Sequence, residues 1–160
     1  VPINKLTGGK ARAGGGIVPG NAFALRIHKV PVSSLTTGEK DTGFDFPTGA
    51  VILGVWVQIA TAESTATTKT IDVGLLSSES GGDTDGLIDG LATSASGVKQ
   101  PSIIAGAVTL GVLMHVDLNG AVNTFEPHVV TTAKSLVYQL GSAHTELDAD
   151  IVVMYLDPNP

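Results

Sequence analysis

AVILGVWVQIA, residues 50–60, alternates with a period of two: Val51, Leu53, Val55, Val57 and Ile59 form one face, and Ile52, Gly54, Trp56 and Gln58 the other. Both faces are largely apolar, the mark of a strand covered on both sides. Trp56, the only tryptophan, is read as a core or interface anchor, not as a ring for stacking a ligand. Downstream, a Ser/Thr/Ala-rich turn at 61–68 leads to KTIDVGLL, residues 69–76, which is expected to return beside it as a hairpin. Upstream, AFALRIHKVPV at 22–32 also alternates, with Phe23, Leu25, Ile27 and Lys29 on one side and Ala24, Arg26, His28 and Val30 on the other. It predicts a half-buried strand whose ladder ends at Pro31.

Between these two strands, residues 33–49 are loop-like. Thr36-Thr37-Gly38 and Asp41-Thr42-Gly43 are expected as turns, and Phe44 and Phe46 flank Asp45 in a short strand before Pro47. The stretch Ser77–Gln100 is polar, with five glycines and four acids; within it Asp85–Thr93 predicts a short helix or turn carrying Leu87, Ile88 and Leu91. The apolar pattern resumes at 103–116. Gly106, Gly111, Val108, Thr109 and Val112 argue against a helix there, and Asn119-Gly120 is a hairpin signal leading to Thr124–Val130. Two more strands are expected, Ser135–Leu140, with Leu136, Tyr138 and Leu140 on one face, and Asp150–Leu156, apolar on both. About seven or eight short strands without sustained helical periodicity predict an all-β fold, a single β-sandwich or jelly-roll-like domain.

The first 21 residues differ in kind. They carry Lys5, Lys10 and Arg12, no acid, and six glycines, too little apolar area to offset the entropy of folding alone. The expected organisation is therefore an extended N-terminal arm, 1–21, on a domain at 22–160, with the arm ordered by lying on another molecule. The rest of the chain holds 6 basic against 15 acidic residues, a balance that disfavours nucleic acid. With aromatics at 4%, platforms for stacking bases or sugars are not expected. The 160 residues suffice for one domain. Cysteine is absent, so disulfides and thiolate metal sites are excluded, as suits a protein made in a reducing cytoplasm. No apolar run is long enough to cross a membrane, and no signal-peptide core is expected at the N-terminus. A chain opening on Val1 implies removal of an initiator Met, or numbering that starts after it.

No constellation points to catalysis. GGDTDG at 81–86 offers Asp83 and Asp85 as hard ligands around a glycine turn, but aligning Gly86 with the invariant glycine of a calcium loop puts Gly81 at the first ligand position and Ala92 where the bidentate acid belongs. Asp72, Glu79 and Asp89 would have to fold back to complete a site, so no metal or other cofactor is expected and Asp83 and Asp85 stay weak candidates. His28, His115, His128 and His144 are scattered without zinc spacing. Ser77, Ser78 and Ser80 lack a GxSxG elbow, pairs among Glu126, Glu146, Asp148 and Asp150 arise by number alone, and the glycine clusters at 8–9 and 14–16 have no GK[ST] to make a phosphate loop. The chain is not expected to be an enzyme.

The run IDVGLLSSESGGDTDGLIDGL at 71–91, preceded by WVQIATAESTATTKT and followed by ADIVVMYLDP at 149–158, resembles the capsid decoration, cement or head-stabilising proteins of tailed bacteriophages. The resemblance implies a compact β domain, often trimeric, seated on the outside of the capsid lattice of a virion assembled in the host cytoplasm, with the major capsid protein as partner. It also implies a destination for the arm: Lys5, Lys10 and Arg12 meeting capsid carboxylates, and Ile3, Leu6, Ile17 and Val18 filling grooves. Alternatives with similar build are a tail-tube, head-fibre or tail-tip component, or a carbohydrate-binding or cell-surface β-sandwich.

Overall fold

The computed structural model describes residues 23–63, 69–104, 108–118 and 122–159, and the residues assigned to the arm lie outside them. Eleven strands are described: β1 (Ala24–Pro31), β2 (Lys40–Phe46), β3 (Val51–Thr61), β4 (Thr70–Leu75), β5 (Ile88–Ala92), β6 (Gly97–Lys99), β7 (His115–Leu118), β8 (Val122–Phe125), β9 (His128–Val129), β10 (Lys134–Leu140) and β11 (Asp148–Asp157). Among the described residues the only helical element is a single 3-10 turn at Val112–Met114. One sheet runs β1-β11-β3-β6, with β9 pairing the other end of the β3 edge that β6 occupies, and the second runs β2-β10-β4-β5. Every pair is antiparallel.

The pairing is nested. β1 lies beside β11, β2 beside β10, β3 beside β6 and β4 beside β5, so the chain behaves as one long hairpin folded over into two sheets. That is the jelly roll, and the all-β sandwich expected from the sequence is the one observed. The hairpin expected between β3 and β4 does not form, because the two strands belong to opposite sheets. β3 instead gives one edge to the ten-residue β11, whose apolar inner side matches its own over a far longer ladder than six-residue β4 offers.

The core lies between the sheets. Paired residues of neighbouring strands share a face, and the inward rows are Val30–Ile151–Val57, His28–Val153–Val55 and Arg26–Tyr155–Ile52. Opposite them stand Phe46, Leu136, Tyr138, Leu140, Ile71 and Val73, all buried. Near the β1–β2 side an aromatic cluster fills the gap: His28 stacks on Phe44 with centroids 4.0 Å apart, and Phe46 meets Tyr155 edge to face at 5.4 Å.

Several local expectations are corrected. The pairing of β3 with β11 skips Leu53 between Ile52 and Gly54, a bulge that reverses the alternation. Ile52 therefore joins Val55, Val57 and Ile59 in the core, while Val51 faces out. Asp41-Thr42-Gly43 is a bulge inside β2, where Val137 and Ser135 of β10 face Asp41 and Asp45 and Gly43 takes a φ of 76°. Asp85–Thr93 forms a turn and then β5, with Leu87, Ile88 and Leu91 buried as a strand would bury them. Among the described residues of 103–116 the regular elements are the 3-10 turn Val112–Met114 and the start of β7, which pairs with β8 as the hairpin Asn119-Gly120 predicts.

Candidate functional site

The acidic segment between β4 and β5 is folded back on its own sheet. Leu75 donates its N–H to the Asp83 carbonyl at 2.8 Å and Leu87 donates to Val73 at 2.9 Å, so the segment 75–87 returns along the end of β4. Gly74 permits this contact: a Cβ there would stand 1.9 Å from the Asp83 carbonyl oxygen. Glu39 reaches across from the β1–β2 connection to accept hydrogen bonds from the Ser77 N–H at 3.2 Å and the Thr84 hydroxyl at 2.7 Å. Desolvation opposes its charge, but these bonds outweigh it and hold the carboxyl below its usual range. Buried Lys134 donates its ammonium to the Ser80 carbonyl, and Ser135 donates its N–H to Glu79.

Asp83 and Asp85, the two weak metal candidates, are brought together here. A hydrogen bond with Asp85 pushes the Asp83 carboxyl up to about 6, with burial and the charges of Asp85 and Asp89 acting in the same direction. Burial also raises Asp72, whose carboxylate accepts the Gly90 N–H at 2.7 Å. The cluster thus eases its repulsion by holding a proton on Asp83 below about pH 6. Among the described residues, no group of three or more His, Asp or Glu side chains has the geometry to hold a metal ion.

A second carboxylate does structural work at the far side. Glu63, 1% exposed, accepts the Thr145 N–H at 2.8 Å, the Glu146 N–H at 3.1 Å and the Thr145 hydroxyl at 2.9 Å. Those bonds, the two backbone donors first, lower its carboxyl to about 2. Lys69 secures the same turn by donating to the Ala143 carbonyl. His144 is buried against Thr93 and the Ser142 carbonyl, at 2.8 and 2.7 Å. These polar groups fasten the β10–β11 connection to the ends of β3 and β4.

The outward side of the β1-β11-β3 sheet is the least expected surface. Its rows read Leu25–Leu156–Val51–Val129, then Ile27–Met154–Gly54, then Lys29–Val152–Trp56 with its one cation at the edge, then Pro31–Asp150–Gln58–Val98, which carries the polar Asp150 and Gln58. The alternation of β1 is as expected, but its apolar side points outward, leaving Leu25 59% and Ile27 65% exposed. Beside Trp56 and Met154, Ile103 and Phe125 stand as a wall. Together they enclose an apolar groove of about 350 Å³ that also reaches Leu53 and Gly54. Such a face and groove can bind an apolar surface; they hold no arrangement of nucleophile, base and oxyanion donors.

Of the sequence-derived site residues, Ile3, Lys5, Leu6, Lys10, Arg12, Ile17 and Val18 lie outside the described residues. The face built on Leu25, Ile27 and Trp56 escaped the sequence reading. Its signal was present in the alternation of 22–32, which separates the two sides of the strand without saying which one is covered.

No family model matches the chain, and no curated protein is similar to it in sequence. Solved structures are similar in fold. A chain of the acidic stable capsid structure of Helicobacter pylori bacteriophage KHP30 superposes with a TM-score of 0.50 at 15% identity, over 86% of this chain and 92% of that one. A chain of the cyanophage Pam1 capsid asymmetric unit superposes with a TM-score of 0.54 at 15% identity, over 89% of this chain and 92% of that one. The resemblance seen in residues 71–91 thus meets a fold shared with phage capsid chains.

Proposed function

We propose that this chain is a non-enzymatic virion structural protein that binds the outside of a phage capsid lattice and stabilises it, as a trimer whose N-terminal arms reach neighbouring capsid subunits. The observation that carries the reading is the jelly roll spanning nearly the whole described chain, held in common with chains of two phage capsids. The polar groups described above support it, because Glu39, Glu63, Lys134 and His144 tie loops to strands. An arm with three cations and no acid suits a major capsid protein surface bearing carboxylates, and its Ile3, Leu6, Ile17 and Val18 supply apolar contacts that add up over many lattice copies.

Deleting residues 1–21 tests the division of labour. The truncated domain is expected to melt within about 2 °C of the full chain, since the jelly-roll core is complete without the arm, and to lose attachment to expanded shells in a co-sedimentation assay. Truncated protein that still decorates shells at the full-length level overturns the role given to the arm.

A further inference from the structure

We propose that the outward face of the β1-β11-β3 sheet is the surface through which copies of this chain associate with one another. The inference deepens the oligomer proposed above by naming its contact, and rests on that reading only for the trimer count. Five residues along or beside this face stand well out of the fold: Phe23 at 55%, Leu25 at 59%, Ile27 at 65%, Val98 at 61% and Val129 at 53% exposure. At roughly 100 Å² for each such side chain, they and the half-buried residues between them offer on the order of 600 Å² of apolar surface. That is at the top of what monomers leave open, and near the ~800 Å² each partner gives to a stable interface.

Charge points to the same occupant. The cation and the anion on these rows, Lys29 and Asp150, are already paired with each other at 2.8 Å, so among the described residues of these rows no charge is left unpaired to select a basic or an acidic partner. A face without steering charge and with a groove for an apolar side chain matches the composition of permanent self-association. A second copy is also the partner present at equal concentration from the moment the chain folds, when an open apolar face of this size invites aggregation.

The test uses the full chain in solution. Wild-type protein at micromolar concentration is expected to sediment as a multiple of 16.2 kDa, and the double variant Leu25→Glu/Ile27→Glu as the 16.2 kDa species with unchanged far-UV circular dichroism. If that variant loses its β signature, Val129→Lys, across the same row from Leu25, is expected to lower the mass of the assembly alone. Trp56 emission should shift to the red as the assembly comes apart. A wild-type chain that sediments as one copy refutes the proposal and assigns the face to the capsid or to the chain's own arm, whereas charged variants that keep the wild-type mass refute the face itself. The failures are separable, because removing residues 1–21 is expected to abolish shell binding while leaving the oligomer intact; loss of the oligomer on that deletion makes the arm the contact and overturns the inference.

Discussion

Gly74→Ala probes the way the acidic segment is held. A Cβ at this position would stand 1.9 Å from the Asp83 carbonyl oxygen, 2.4 Å from the Thr84 carbonyl carbon and 2.5 Å from the Thr84 oxygen. These neighbours are backbone and cannot rotate away, so reaching ordinary contact requires the 83–84 backbone to retreat by about 1.5 Å. That retreat breaks or stretches the Leu75–Asp83 and Leu87–Val73 hydrogen bonds, each a net contribution of about 1 kcal/mol, and adds about 1–2 kcal/mol of overpacking strain. The sum is about 3–4 kcal/mol, which lowers the melting temperature of a domain this size by about 10 °C. Gly81→Ala is the control, for Gly81 has nothing within 4 Å of its would-be Cβ and a φ of +78°, so it should cost only about 1 kcal/mol of left-handed backbone strain. Calorimetry and urea unfolding of both variants measure the difference. If Gly74→Ala melts with Gly81→Ala, the segment does not press on β4 as described.

Stability should pass through a maximum at mildly acidic pH. The raised Asp83 carboxyl makes the folded state bind a proton that the unfolded state releases near 3.8, so this contribution is complete below that pH and is lost as pH rises through about 6. The lowered Glu63 carboxyl works the other way, with its contribution present above 4.5 and lost as pH falls towards about 2. His128, whose imidazole burial depresses, favours higher pH and so works against Asp83, so the comparison that isolates each group is between variants. In melting curves from pH 2 to 8, Asp83→Asn is expected to flatten the decline between about pH 4 and 6, and Glu63→Gln the acid limb below pH 4.5; profiles parallel to wild type would remove both assignments. Tyr138→Phe should cost about 1–2 kcal/mol in urea unfolding, because the Tyr138 hydroxyl accepts the Ser34 N–H at 2.8 Å and donates to the Ser34 carbonyl at 3.2 Å, and an unchanged midpoint would show that the 32–35 crossing holds without it.

Which parts of this architecture could be read in advance follows from the range of the forces involved. Alternation in 51–60, 135–140 and 150–156 identified β3, β10 and β11 because each strand's own side chains carry the signal, and Asn119-Gly120 marked the β7–β8 hairpin because turn chemistry is local. Pairing between β3 and β11, some 100 residues apart in the chain, has no such local trace, so the neighbouring KTIDVGLL segment was assigned to β3 when it lies in the other sheet. The bulges at Leu53 and at 42–44 also follow from partners in β11 and β10, not from their own sequence. The union of Asp83 with Asp85 was visible in GGDTDG; the clamping of their segment at Ser77, Ser80 and Thr84 by Glu39 and Lys134, from distant parts of the chain, was not.

The outward face shows what alternation cannot decide. A period of two says that Phe23, Leu25, Ile27 and Lys29 share a side and that Arg26, His28 and Val30 share the other, but not which side is covered. Register decides: Val30 stands opposite Ile151 and Lys29 opposite Val152, and the inward side of β11 carries Ile151, Val153 and Tyr155. Once Val30 is in the core, parity sends His28 inward as well, where it stacks on Phe44, and sends Leu25 and Ile27 out. An isolated domain has little to gain from turning the more apolar side of an edge strand to water, and the reverse choice would bury Leu25 and Ile27 while freeing His28. The arrangement becomes favourable overall when a further apolar surface covers the rows that continue through Met154, Leu156 and Val51. In the self-association proposed above, the outward turn of β1 is the point at which the physics of one chain stops being sufficient and that of an assembly begins.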